Sequence, residues 1–417
     1  MRDRYSAYRL VAEGLRRHRG WRPAWREMLP EPRYDAIIVG GGGHGLATAY
    51  YLAKTHGLRR VAVLEKGWIG GGNTGRNTTV IRSNYFYPES VALYDFALRL
   101  YETLGRELNY NIMLSQRGMA IVSHTDMQME IAARLVNAMQ INGVDAELFT
   151  AEQIRHVAPL LNFDPDARFP IHGGVWQKRA GIARHDAVAW AYVRAADRLG
   201  VHIIQNCEVL DFVIEAGRCT GVETSLGTIH ADKVGLAVAG HSSVLAAKAQ
   251  FQLPIHSYTL QAMVTEPIKP ALDTVVLSLG TGVYVNQSDK GEIVFGGGLD
   301  RYPSYGQRGT SPMQENVISG MLEMFPSFGQ LKLMRQWGGI VDVVPDSSPI
   351  IGPSPVPGIY LNCGWGTGGF KAIPAGGWLL AHLMATGSHH EISRPFDLSR
   401  FARGELIDEA AGSGIAH

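Results

Sequence analysis

The run Gly40-Gly-Gly-Gly-His-Gly45 contains Gly40-x-Gly42-x-x-Gly45, the spacing of a loop that cradles a dinucleotide. Gly40 permits a tight turn and Gly42 lets backbone N–H groups approach a pyrophosphate. Gly45 lets the following helix pack against its strand. Gly43 and His44 complete the loop as candidate contacts, and the helix N-terminus favours the phosphate charge. Glu65 falls about 20 residues beyond Gly45, where a carboxylate bonds ribose hydroxyls, and Lys66 stands beside it.

Three further segments carry chemistry-bearing types. Gly70-Gly-Gly-Asn-Thr-Gly-Arg-Asn-Thr-Thr-Val-Ile-Arg82 is long and polar for a turn. Its donors, Asn73, Thr74, Arg76, Asn77 and Thr79, suit a pyrophosphate running toward a flavin ring, and a solvated surface loop is the alternative. Arg82 is a candidate cation for a substrate carboxylate, with Tyr85 beside it; the alternative is a structural arginine paired with a carboxylate. Cys363-Gly-Trp-Gly-Thr-Gly-Gly-Phe-Lys371 is a glycine loop before a helix. Gly366, Gly369 and Lys371 would place positive charge against a reduced flavin. Lys371 as a plain surface lysine is the alternative. In Arg179-Ala-Gly-Ile-Ala-Arg-His-Asp186, His185 precedes an apolar helical run. By spacing alone it is a solvated helix-start residue.

These residues need elements to hold them. Asp35–Val39 and Arg60–Leu64 read as buried parallel strands around a helix over 46–54, a βαβ unit. A helix is expected from His185 to about Leu199, then strands at 201–204, 208–214 and 218–224. Val209 lies in the second of these. Gly240 closes a further strand over 233–238. Strands are also expected near 119–122, 283–285, 292–295 and 359–362, with a last helix from about Pro374 to Met384. The fold class is α/β, a Rossmann-like FAD-binding domain interleaved with an antiparallel-sheet substrate domain. Residues 34–95, 172–255 and 340–400 form the first domain, and 96–171 and 256–339 the second. Residues 1–33 are a basic arm with nine arginines against four acidic residues, either solvated or docked on a partner. Residues 401–417 are a tail.

Composition sets limits. A net charge of +1 points to no nucleic-acid partner. No apolar run approaches the roughly 18 residues of a membrane span. Three sparse cysteines, Cys207, Cys219 and Cys363, have no metal-ligand spacing and suit a reduced, cytoplasmic setting.

Taken together, "DAIIVGGGGHGLATAYYLAK", "VLEKGWIGGGNTGRNTTVIRSNY", "SQRG", "RAGIARHD", "IIQNCEV", "WGGIVD" and "NCGWGTGGFK" resemble the FAD-dependent amine oxidase family. That family includes sarcosine, glycine and D-amino-acid oxidases. Within it the chain resembles the beta-type chains of the heterotetrameric sarcosine oxidases. The resemblance implies non-covalent FAD and alpha, gamma and delta partner subunits. It also implies FMN covalently joined to a histidine, which is His185 here; His172 in "PIHGG" is the competing candidate. In single-chain relatives a cysteine holds FAD; that position falls at about Gly339. The implied reaction oxidises sarcosine by hydride transfer to FAD, with Lys371 near the flavin. Electrons pass to FMN and then O2, giving hydrogen peroxide. Glycine is left, with formaldehyde, or with methylene-tetrahydrofolate made on the alpha subunit. A stand-alone FAD-dependent amino-acid oxidase or dehydrogenase is the second reading. An assembly subunit with a structural flavin is the third.

Overall fold

The computed structural model describes residues 6–20 and 23–410. At its centre is a six-stranded sheet in the order 350–353, 359–363, 234–236, 36–39, 61–64, 202–204. All neighbours are parallel except the edge strand Ile350–Pro353, which runs against Ile359–Cys363. Ala36–Val39 and Val61–Leu64 are buried at every position. That is what a parallel strand covered on both faces requires, and it explains their uniformly apolar composition. The helix Gly43–Lys54 follows the first strand, packs against the helices His185–Arg198 and Gly369–Thr386, and buries Leu46, Ala49 and Leu52 among them. An antiparallel meander of Val209–Glu215, Arg218–Thr224 and Gly227–Ala231, with Arg33–Tyr34 parallel at its edge, covers the other side.

The second layer is an eight-stranded sheet in the order 333–343, 256–267, 292–299, 284–287, 275–278, 119–123, 173–177, 146–150. It is antiparallel apart from the pair 275–278 and 119–123. The long strands His256–Pro267 and Leu333–Val343 pair from His256↔Val343 to Thr265↔Leu333. This carries the Trp337–Asp342 stretch from the far sheet to the edge of the nucleotide domain.

Several expectations change. Gly173–Gln177 pairs with Met119–Ser123 and Ala146–Thr150, so it belongs to the large sheet and not to the segment starting at 172. The strand Ala146–Thr150 was not foreseen, because four of its five residues face outward or lie half-exposed without strict alternation. The helix Pro88–Glu107 crosses the expected boundary at 95 and packs on Gly369–Thr386. Leu333–Val343 runs unbroken through the expected boundary at 340. The last helix begins at Gly369, five residues before Pro374. A proline that deep removes the N–H that would serve the Phe370 carbonyl. Tyr101 replaces it, donating its buried hydroxyl to the Phe370 oxygen at 2.7 Å.

The arm divides in two. Ala7–Leu15 is a helix capped by Ser6 with no buried residue. The stretch after residue 22 lies on the body instead, and Trp25 packs against the core beside the helix His185–Arg198. The tail is also anchored: Ile407 and Glu409 are buried, and Glu409 accepts the backbone N–H groups of Phe86 and Tyr87 at 3.0 and 2.9 Å.

Candidate functional site

A cavity of about 1150 Å³ runs between the two sheets, larger than most small-ligand clefts and of the size an extended dinucleotide needs. Gly40 has φ +109°, and a Cβ there would meet the Ala237 carbonyl oxygen at 2.4 Å. The turn therefore requires glycine at that point. Gly45 lies outside the cavity wall. Its Cβ would stand 1.9 Å from the Gly40 carbonyl oxygen, so it permits the close approach of helix to turn. Gly42 caps the helix without a side-chain partner, and Gly42, Gly43 and His44 line the cavity. This leaves a helix N-terminus facing the space, the arrangement that receives phosphate. Glu65 accepts the Gly41 N–H at 2.8 Å and the Gly67 N–H at 2.8 Å, which fixes its carboxylate on the wall next to Lys66.

Asn73, Thr74, Arg76 and Asn77 line the same cavity. They do more than face it. Thr74 Oγ1 accepts the Gly43 N–H at 3.0 Å. Asn73 Oδ1 accepts the Ile340 N–H at 2.9 Å, and its amide donates back to the Ile340 carbonyl. Arg76 donates to the carbonyls of Gly71 and Gly72 and, at 3.0 Å, to Gln307. The 70–77 loop is thus tied to the start of the helix Gly43–Lys54 and to the large sheet, and is no solvated surface loop. Thr79, at φ +73°, is absent from the wall; the neighbouring Thr78 lines it instead. Val209 lines the cavity, whereas Gly240 lies just behind it, between Ala239 and His241. Gly339 also lines it, with no cysteine at that position.

At the far end stand Arg82 and Lys371, both buried and both on the wall. Arg82 donates to the Asn84 side chain at 2.6 Å and stacks on Tyr85, 4.8 Å from the ring centroid. Tyr85 does not reach the cavity: it lies behind Arg82, stacked on Tyr94 at 3.8 Å. Lys371 donates to the Thr367 carbonyl at 3.1 Å. Burial and the nearby Arg82 charge hold its ammonium well below the usual lysine range. An anion between the two cations would relieve that cost. Gly366 and Gly369 complete this end.

Residue reading missed three contributors. Asp342 is fully buried on the wall; its carboxylate accepts the Gly364 N–H at 2.5 Å and shapes the loop before the last helix. Burial pushes its pKa up to about 6. Its place in an apolar strand, "GGIVDV", was the available signal. Trp365 stacks on His44 at 4.5 Å. Burial raises the pKa of Glu409, from the tail, against the opposing bonds from Phe86 and Tyr87 and, last, the Arg82 charge. No spacing in the chain connects residue 409 with residue 82.

His185 does not share this cavity. It starts the helix His185–Arg198 and lines a second cavity of about 390 Å³ with Trp25, Trp68 and Trp190. Thr74 and Trp68 border both cavities. Burial lowers the His185 pKa, with Asp186 opposing and Arg184 assisting. Its Nδ1 is buried with no partner among the described residues. His172, in contrast, is exposed, contacts Asp126 at 3.1 Å and lines neither cavity. The three cysteines are free and buried. Among the described residues no cluster of His, Cys, Asp or Glu could hold a metal, and no helix is long and apolar enough to cross a membrane.

The fold and cavity define a class. Residues 35–383 match the model of the FAD dependent oxidoreductase family, DAO. The chain is 52% identical over 393 residues to sarcosine oxidase subunit beta of an Arthrobacter species, covering 94% of this chain and 97% of that one. It is 52% identical to the Rhizobium meliloti protein of the same name, covering 97% of each. Among solved structures, L-proline dehydrogenase from P. horikoshii superposes with a TM-score of 0.85 at 28% identity, covering 91% of this chain and all of that one. Glycine oxidase from Geobacillus kaustophilus shares the fold, with a TM-score of 0.80 over 89% of this chain and 99% of its own. The chain belongs to the FAD-dependent oxidoreductases and, within them, to the sarcosine oxidase beta-subunit family, so it is a flavin oxidoreductase.

Proposed function

We propose that this chain carries the sarcosine-oxidising site of a heterotetrameric sarcosine oxidase, with alpha, gamma and delta subunits as its partners. The observation that carries the reading is the pair Arg82 and Lys371, two buried basic side chains on the wall at the end of a dinucleotide-sized cavity. Bound FAD would supply the hydride acceptor. Gly40, Gly42 and the helix start would hold its pyrophosphate, and Glu65 a ribose. The close glycine approach at Gly40 and Gly45, with Gly42 and Gly43 on the cavity wall, fits the group without any covalent link, and no cysteine stands at Gly339.

The chain's own residues then bind and orient. Arg82 and Lys371 receive the carboxylate of sarcosine, a charge-assisted contact that fixes which end of the amino acid faces inward. Burial of both side chains excludes water from that contact and strengthens the guanidinium–carboxylate pair. Asp342 holds the Gly364–Gly366 backbone in place, and Glu409 steadies Arg82 from behind. The amine oxidation leaves an imine, whose hydrolysis gives glycine and formaldehyde. With tetrahydrofolate on the alpha subunit, methylene-tetrahydrofolate would form instead. O2 is the terminal acceptor in this reading and hydrogen peroxide its product.

The second cavity supports covalent FMN at His185. A buried imidazole held neutral, with an unpartnered ring nitrogen and indoles around it, suits a nucleophile toward a planar ring. The outer rim, Trp68 and Trp190, is exposed on this chain, consistent with a site that lies toward a partner.

Anaerobic mixing of the purified complex with sarcosine should bleach the flavin bands. Arg82→Met should raise KM for sarcosine far more than it lowers flavin content. Equal loss of FAD would remove the substrate role from Arg82. Absence of bleaching with sarcosine, together with bleaching by another amino acid, would favour the stand-alone oxidase reading. Absence of bleaching with any amine would favour a structural flavin.

A further inference from the structure

The segment after residue 22 is bound to the helix that His185 begins. Arg26 donates three times to Asp197: from its backbone N–H to Oδ1 at 3.2 Å, from Nε to Oδ1 at 2.8 Å, and from its guanidinium to the Asp197 carbonyl at 2.9 Å. Asp197 sits in the last turn of the helix His185–Arg198, where a cation also meets the negative end of the helix. This anchor sets Trp25 over the middle of the same helix, edge-on to Trp190, with ring centroids 6.1 Å apart and planes at 75°. His185, Asp186, Ala189 and Trp190 all line the second cavity, and their spacing of three to four puts them on one helix face. Trp25 and residues of the 68–75 loop complete the lining of that cavity.

We propose that Trp25 is a wall of the His185 cavity, presenting its indole to the flat aromatic ring held there, and that the Arg26–Asp197 clasp positions it. The inference rests on the reading that His185 carries a flavin. The basic N-terminal segment then has two parts with different work. Residues 7–15 form an exposed helix, while Trp25 and Arg26 belong to a cofactor site of the chain itself. Trp25 is a positioning residue here: indole against a planar ring limits tilt and shields it from water, and an edge-to-face partner in Trp190 keeps the indole from rotating away.

The test uses the whole complex, with Trp25→Phe, Trp25→Leu and His185→Ala. Leucine fills space without a ring face, whereas phenylalanine keeps one. The readout is the visible circular dichroism of the flavin retained after acid precipitation controls, taken as a difference from His185→Ala, together with covalent flavin per chain. Trp25→Phe should keep the parent difference spectrum. Trp25→Leu should lose most of it and lower covalent flavin severalfold, with FAD content unchanged. Arg26→Ala should fall between them. If Trp25→Leu and Trp25→Phe give the same difference spectrum and the same covalent flavin, the Trp25 wall is wrong while the His185 reading stands. If His185→Ala retains covalent flavin, the His185 reading itself fails, whatever the Trp25 variants do.

Discussion

His44 Nε2 lies 2.8 Å from the carbonyl oxygen of Gly369, which joins the first turn of the fingerprint helix to the first residue of the last helix. A carbonyl only accepts, so Nε2 carries the proton and Nδ1 is the bare nitrogen, buried without a partner among the described residues. Burial pushes the pKa of this imidazole down to about 4. The folded chain therefore binds its proton less readily than the unfolded chain. The contribution is full above the unfolded value near 6.5 and is lost as pH falls toward 4. The loss amounts to about 3 kcal/mol at roughly 1.4 kcal/mol per unit. His44→Gln retains a donor for Gly369 and cannot charge. Denaturant unfolding between pH 7 and pH 4 should show wild type losing more stability than His44→Gln by about that amount. Parallel curves for the two proteins would show that His44 titrates normally.

Gly45→Ala should abolish FAD binding. The added Cβ would press on the Gly40 carbonyl, a backbone atom of the turn that bears the pyrophosphate loop, so neither side can move without opening the turn. Flavin per chain, read from the visible absorbance of purified protein, checks it. A variant with full FAD content would mean that the helix can slide along its strand.

The nucleotide end of the molecule was legible because its chemistry is local. A strand, three glycines and an acid within Ala36–Glu65 specify one another through backbone geometry, and the helix start at His185 and the meander turn at Ala216-Gly217 follow from adjacent residues as well. The other end depends on distant pieces of chain. Asp342 lies in a strand of the far sheet and Glu409 in the tail, and each reaches the site through pairing or anchoring that spacing does not express. The helix start at Gly369 was misplaced for a related reason: Pro374 reads as a boundary unless the Tyr101 hydroxyl is known to be there.

Arg400 and Asp346 form an ion pair with neither side chain exposed, bonded at 2.7 and 2.9 Å. Asp346 also accepts the Ile407 N–H, so the pair fastens the tail that brings Glu409 to Arg82. Arg400→Met leaves a buried carboxylate without its cation and should cost about 3–5 kcal/mol in unfolding free energy. Adding Asp346→Asn should restore part of it, since the amide carries no charge. If Arg400→Met changes stability by less than about 1 kcal/mol, in the range of exposed pairs, the buried pairing is wrong.

The carbonyl of Phe370 is the sharpest test of how the substrate end is built. Pro374 has no N–H to give it, and Tyr101, two-thirds along the helix Pro88–Glu107, supplies the hydrogen bond instead. Tyr101→Phe removes that donor inside the core and should destabilise the protein by about 1–3 kcal/mol, the cost of a buried acceptor left unsatisfied. It should also raise KM for sarcosine, because the residue after Phe370 is Lys371. Pro374→Ala returns the ordinary helical N–H to the same oxygen. In the Pro374→Ala background Tyr101→Phe should therefore cost clearly less, and the double-mutant cycle should give a coupling energy that offsets part of the single loss. Additive effects in that cycle would show that Tyr101 and Pro374 do not share one carbonyl.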